Sequence, residues 1–192
     1  MLTLEFPGAK RLVDALDAAI CRDCPTEITD QLRHTLCRLI RDPEVKLPDC
    51  CFEAVGDHYA RRELYRSDEH GYSVIAMTWG PGQGTLIHDH AGMWCVEGVW
   101  RGSLEVTPYE LVERNEERFR FEPRGTMNAG PGSAGSLIPP HEYHTIQNPS
   151  DSEIAVTLHI YRGAMTSCSV FRKAEAQWYE RDQRQLSLDH TY

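Results

Sequence analysis

His88-Asp89-His90 sets two imidazoles one residue apart. On a strand, residues i and i+2 share a face, so both rings can close on one cation. A third imidazole is offered by His141 or His144 within Pro139–Asn148, a segment that reads as strand and turn. A single histidine is more often a surface or hydrogen-bonded core residue, but three imidazoles meeting at one point make a metal site. A second group lies in Val156-Thr157-Leu158-His159-Ile160-Tyr161, where polar and apolar residues alternate. Period-two alternation puts hydroxyl, imidazole and phenol on one face. A half-buried strand commonly turns such a face to solvent. The alternative is a hydrogen-bonding wall beside the metal.

The surrounding pattern indicates what positions these groups. Leu12, Val13, Leu16 and Ile20 recur at helical spacing, as do Ile28, Leu32, Leu36, Leu39 and Ile40. Pro25-Thr26 suits the start of a second helix and Asp42-Pro43 its end, so residues 9–42 read as two amphipathic helices. Beyond Pro48, short β-prone runs follow at Ser73–Trp79, Thr85–His90, Trp94–Trp100, Leu104–Tyr109, Arg118–Phe121, Gly135–Ile138 and Ile154–Tyr161. Turn residues separate them at intervals expected of an all-β sandwich or barrel. Glu113–Arg118 reads as a solvated hairpin tip, and Gln183–Tyr192 as a loosely held polar tail. The expected organisation is one domain over 1–192: a helical cap to about 45, a barrel over about 46–175, and a tail over 176–192.

Bulk properties narrow the partners. The net charge of −9, with no run of Lys or Arg, argues against nucleic acid and anionic membrane. No apolar stretch approaches spanning length, and Met1–Lys10 lacks the basic start and apolar core of a signal peptide. A cytoplasmic location is therefore expected. Seven cysteines cannot all pair within one chain. Cys21-x-x-Cys24 has no second pair at zinc-site spacing, so reduced thiols are the simpler reading.

Gly82, five residues, His88-x-His90, four residues, Cys95, six residues and Gly102, followed by Pro140, His144 and Asn148, resembles the two motifs of the cupin superfamily. The departure is Cys95, which stands where those motifs usually carry a metal-ligating glutamate. Losing that carboxylate leaves neutral imidazoles around an uncompensated cation, a setting that favours an anionic ligand such as a thiolate. At this point the chain resembles the thiol dioxygenases, most closely the cysteine dioxygenase family, over roughly residues 45–175. The resemblance implies a mainly β fold, a cupin jelly-roll barrel with N-terminal α-helices, and a ligand cavity between its sheets.

It also implies roles. His88, His90 and His144 would hold Fe(II); His144-x-x-x-Asn148 keeps the family spacing, whereas His141 falls where cupins carry glycine. Thr157, His159 and Tyr161 match the family's Ser-x-His-x-Tyr strand, with Tyr161 beside the iron and His159 orienting its phenol. Cys95 matches the cysteine that mammalian-type members join to that tyrosine by a thioether. Tyr59-x-Arg61 resembles the segment whose arginine binds the substrate carboxylate, a task suited to a planar charged fork. Arg62 stays open as the alternative. Trp79 and Cys168 have counterparts near the pocket, and simple burial explains both equally well.

The implied reaction adds both atoms of O2 to the sulfur of L-cysteine, giving the sulfinic acid, with thiolate and amine on the metal and no organic cofactor. Three other readings use the same residues: a dioxygenase for another small thiol such as 3-mercaptopropionate, a zinc-dependent hydrolytic or isomerising cupin, and a small-molecule-binding cupin without catalysis.

Overall fold

The computed structural model describes residues 1–115 and 117–189. Helix α1 (Ala9–Ile20) buries Leu12, Leu16 and Ala19, and α2 (Pro25–Ile40) buries Leu32, Leu36 and Leu39. That spacing makes one apolar stripe per helix. Pro25 sits in the first turn of α2, where its missing N–H costs nothing.

Both stripes pack on the outer face of an antiparallel sheet. Its order is β1 (Ala60–Ser67), β2 (Tyr72–Trp79), β10 (Ala155–Tyr161), β4 (Cys95–Arg101), β8 (Ala134–Leu137). Tyr72, Val74 and Ala76 of β2, Val96 of β4, and Val156, Leu158 and Ile160 of β10 join the helices in one apolar cluster. The helices can sit this close because β4 carries Gly98 at the crossing. A Cβ there would come within 2.8 Å of both Leu36 and Ile40.

A second antiparallel sheet faces the first. It runs β6 (Arg118–Pro123), β12 (Trp178–Gln185), β11 (Ser167–Lys173), β3 (Ile87–His88), β9 (His144–Gln147), β5 (Leu104–Arg114), β7 (Met127–Ala129). The long β5 pairs with β7 and β9 through Leu104–Pro108 and with β6 through Tyr109–Arg114, so this sheet curls back on itself. Between the sheets lie Ile75, Met77, Trp79, Cys95, Val99, Ile146 and Tyr161. The first sheet is thus covered on both faces, which is why the alternating polar residues of β10 point inward and not to water.

The mainly β class with two N-terminal helices is as expected, and the two facing sheets agree with a jelly roll. Several boundaries differ. Only Ile87–His88 of the predicted Thr85–His90 strand pairs, and His90 lies beyond its end. Strands β1, β7, β11 and β12 were not predicted, whereas β9 lies in the segment read as strand and turn. The polar tail expected over 176–192 is instead a sheet strand to Gln185, because β12 gains its ladder with β11 through backbone groups while its charged side chains stay exposed. The hairpin tip falls between Arg114 and Arg118 as predicted; its Glu116, like residues 190–192 of the tail, lies outside the described residues. All seven cysteines are free. No helix among the described residues is long and apolar enough to cross a membrane.

Candidate metal centre and pocket

His88 and His144 face each other across the β3–β9 pairing. Cross-strand partners have side chains on the same face and in contact. Their ring centroids are 4.4 Å apart, and His90 lies 5.3 Å from the first and 5.1 Å from the second. One donor nitrogen from each ring falls within 4.8 Å of the others. His141, the competing third ring, is exposed and outside this group.

His90 is off the strand, so its position needs other support. Asp89, which carried no message in the sequence, supplies it. One Asp89 carboxylate oxygen accepts the N–H groups of Ser169 on β11 at 2.8 Å and of Ala91 at 3.1 Å. These bonds hold Ala91 at φ 53, a conformation that a non-glycine residue adopts only when its surroundings require it. Glu142 completes the clamp by accepting the His90 N–H at 3.0 Å.

Tautomers follow from the backbone. His88 donates Nδ1–H to the Leu86 carbonyl at 3.1 Å, and His144 donates Nδ1–H to that of Glu142 at 2.9 Å. Each ring then presents a bare Nε2, the arrangement found around protein-bound metals. Burial, reinforced by the neighbouring rings, pushes His88 down to about 3 and His90 well below its ordinary value. Both therefore stay neutral. His90 Nδ1 and His144 Nε2 are buried with no hydrogen-bond partner. Buried polar atoms seldom go unmatched, and a cation among these rings would satisfy a bare lone pair. The donor set fits a transition metal that accepts imidazole.

Strand β10 lines the same space. Trp79 donates Nε1–H to Thr157 Oγ1 at 2.9 Å, and Thr157 Oγ1 lies 2.8 Å from His159 Nε2. An indole is only a donor, so the Thr157 hydroxyl is free to give its own proton to Nε2. His159 Nδ1 then carries the hydrogen and faces Tyr161 Oη at 3.3 Å. Cys95 is the register partner of Tyr161 on the adjacent strand β4, and its sulfur lies 4.0 Å from His159 Nδ1. Burial holds both the Cys95 thiol and the Tyr161 phenol well above their ordinary values, so both keep their protons.

On β1, alternation separates the two arginines as expected. Arg62 points outward to Thr78 Oγ1 at 3.1 Å and the Glu53 carbonyl at 3.0 Å. Arg61 lines the pocket with Tyr59, Trp79, His88, His159, Tyr161 and Cys168. Its guanidinium donates to the carbonyls of Met165 at 3.1 Å and Ser187 at 3.0 Å, and its buried Nε has no partner. Tyr59 stacks on Trp79 at 4.5 Å.

Two features were missed in the sequence. Residues 186–189 fold across the pocket as a strap. Leu186 enters its lining, and Asp189 accepts the Arg61 backbone N–H at 2.7 Å. The second is Glu97, on the same inward face of β4 as Cys95. Its Oε2 lies 3.4 Å from His159 Nδ1 and 3.7 Å from His144 Nε2. Burial opposes its ionisation, but His144, His159 and His88 outweigh that and hold the carboxyl at about 2. A carboxylate thus stands beside the three-histidine group, two residues beyond Cys95 and on the same face of β4, although the donor group itself comprises the three rings alone. Beyond Glu97 and Thr157 a cavity of about 230 Å³ opens between Val99, Leu104, Val106 and Ile146.

The family profile described as "Cysteine dioxygenase type I" matches residues 53–174. Cysteine dioxygenase type 1 of Danio rerio is 27 % identical over 110 residues, covering 57 % of this chain and 54 % of its own. The Homo sapiens protein of that name is 26 % identical over 118 residues, with the same coverage of 57 % and 54 %. The chain thus spans about half the length of the curated relatives it matches. Among solved structures, a cupin-2 domain from Rhodospirillum rubrum aligns with TM-score 0.47 and 14 % identity, over 65 % of this chain and 76 % of that one.

Proposed function

The chain belongs to the cysteine dioxygenase type I family, and from that premise we propose that it is a non-haem Fe(II) thiol dioxygenase converting L-cysteine and O2 to cysteine sulfinic acid. One observation supports the reading most: a cluster of three converging imidazoles, whose His88 lines the same pocket as His159, Tyr161 and the buried Arg61.

In this reading His88, His90 and His144 hold the iron as neutral rings. Bound there, Fe(II) supplies a position for the substrate thiolate and the redox partner that O2 requires. The chain's own residues do the rest. Arg61 has its fork anchored on Met165 and Ser187, so its guanidinium is held fixed before substrate arrives, with Nε unpartnered. That N–H receives the substrate carboxylate. Tyr161, kept protonated by burial, is a hydrogen-bond donor at the reacting end, and His159 fixes where its hydroxyl points. Trp79, Met165 and Leu186 exclude water.

In this reading Cys95 and Tyr161, register partners on neighbouring strands, join through a thioether. That step forms one S–C bond, removes the thiol hydrogen and a ring hydrogen, and passes two electrons to O2. The proposal is tested by loading the protein anaerobically with Fe(II) and following O2 uptake with L-cysteine or 3-mercaptopropionate. The expected product carries two added oxygen atoms on sulfur, both labelled when 18O2 is used. No thiol-dependent uptake by the iron-loaded protein would sink the reading.

A further inference from the structure

We propose that Cys95, Glu97 and His159 form a second metal site, one that takes Zn(II) or a similarly thiophilic dication. The site is separate from the three-histidine group and stands whether or not that group holds iron. One donor atom from each of the three side chains lies within 4.8 Å of the others. Strand register brings them together: Cys95 and Glu97 share a face of β4, and Glu97 is paired with His159 on β10. On its other side Glu97 meets Gly135 of β8, which has no side chain to offer.

The polar groups here surround a common centre without bonding one another well. Around His159 Nδ1 stand the Tyr161 hydroxyl at 3.3 Å, Glu97 Oε2 at 3.4 Å and Cys95 Sγ at 4.0 Å. A good hydrogen bond between nitrogen and oxygen spans roughly 2.7–3.2 Å. Glu97 Oε2 is buried and has no hydrogen-bond partner at all. Buried polar atoms seldom go unmatched, and a cation is one way to match them. Bonds of roughly 2.0–2.3 Å at a tetrahedral ion hold nitrogen, oxygen and sulfur donors about 3.3–3.7 Å apart. Glu97 and His159 already stand at that separation, and Cys95 needs to close by only about half an ångström.

The donor types select the ion. A thiolate, a carboxylate and an imidazole are the mixed set that suits Zn(II). The ion displaces the Cys95 thiol proton to solvent, as metals do on binding thiols. Thiolate and carboxylate then balance the dication inside the barrel. His159 keeps its support, because the Thr157 hydroxyl at 2.8 Å can accept Nε2–H as readily as it can donate to that atom, which leaves Nδ1 for the ion. An ion here withdraws Cys95 from the thioether and His159 from the Tyr161 hydroxyl, so its effect on the proposed chemistry is inhibitory.

The test uses the full chain, purified anaerobically so that Cys95 is not consumed, and loaded with Fe(II). Crystals soaked in Zn(II) are measured on both sides of the zinc absorption edge, which distinguishes zinc from iron. The expected result is a zinc peak about 2.3 Å from Cys95 Sγ and roughly 2.0–2.2 Å from Glu97 and His159. No zinc peak, or zinc only at other cysteines, would overturn the proposal. Zinc only among His88, His90 and His144 would overturn it too, while leaving those histidines as a metal site. In solution, Co(II) titrated into the full chain should give a thiolate-to-metal charge-transfer band that is absent from Cys95→Ser. Glu97→Gln, which preserves side-chain volume, should weaken the Co(II) affinity read from that band by at least about 10-fold. A band that survives in Cys95→Ser, or an affinity unchanged in Glu97→Gln, would overturn the proposal.

Discussion

Arg61→Gln separates the job that the geometry shows for this side chain from the job that the proposed function gives it. The guanidinium anchors Met165 and Ser187 through their carbonyls, and its Nε, which has no partner, receives the substrate carboxylate in the proposed function. A charge-assisted hydrogen bond is worth roughly 1.5–3 kcal/mol. Converted to a rate, that is about a 10- to 150-fold fall in kcat/KM. Loss of the anchor lowers activity as well, so L-cysteine alone cannot tell the jobs apart. Cysteamine can, because it keeps the thiol and amine but lacks the carboxylate. Initial O2 uptake by the iron-loaded variant should fall by about 10- to 150-fold with L-cysteine and by less than about threefold with cysteamine. Arg62→Gln should leave both rates near wild type, since its fork is bonded to Thr78 and Glu53 on the opposite face. Equal losses on both thiols would refute carboxylate recognition by Arg61 and leave it as an anchor only. A larger effect from Arg62 would mean that the roles on β1 are displaced by one residue.

Four further outcomes are expected. His144→Ala should strip iron from the purified protein while His141→Ala retains it, as read by metal analysis per chain, because only His144 lies in the ring cluster. After aerobic turnover, intact mass should fall by two hydrogens in part of the sample and not at all in Cys95→Ala; peptide maps with only free Cys95 would exclude the thioether. Gly98→Ala should overpack the helix–sheet crossing, at a cost of about 1–3 kcal/mol, seen as a melting temperature lower by about 2–12 °C. The strap should be held most tightly in a window of pH. Asp189 is held below its ordinary 3.8: burial opposes this, but the Arg61 N–H and His58 outweigh it, so its contribution is complete above 3.8 and lost as pH falls through the depressed value. His58 is raised above 6.5 by Asp189 and then Asp57, so its contribution is complete below 6.5 and lost as pH rises through the raised value. Proteolysis of the strap should be slowest between those limits, and Asp189→Asn should flatten the profile.

The helices were legible because their apolar residues recur at one period and Pro25 and Pro43 punctuate them. The inward face of β10 was legible for the same kind of reason. Its alternation is complete over six residues, from Val156 to Tyr161. The strands that escaped are those whose stability does not come from an apolar face. Strand β12 reads Trp-Tyr-Glu-Arg-Asp-Gln-Arg-Gln and leaves most of it exposed. It belongs to the sheet through its ladder with β11, which no side-chain pattern announces. The strap after it was hidden likewise, since Ser187 and Asp189 act through a carbonyl and a short carboxylate on a residue more than a hundred positions away.

Glu97 is a different kind of omission. Cys95 and Glu97 are two apart on a strand, the same relation that was used to pair Thr157 with His159, so alternation alone would have turned the carboxylate inward. The register gives the outcome: β4 sets Glu97 opposite His159 and Cys95 opposite Tyr161 on β10. The thiol therefore faces the phenol, and the carboxylate faces the imidazole and the ring of His144 beyond it. A strand presents its face every second residue, so a group shifted by two still looks into the same cavity, while a shift of one would have sent it into the helices beside Val96. Within such a barrel, chemistry is constrained by parity along the strand more tightly than by any single motif position.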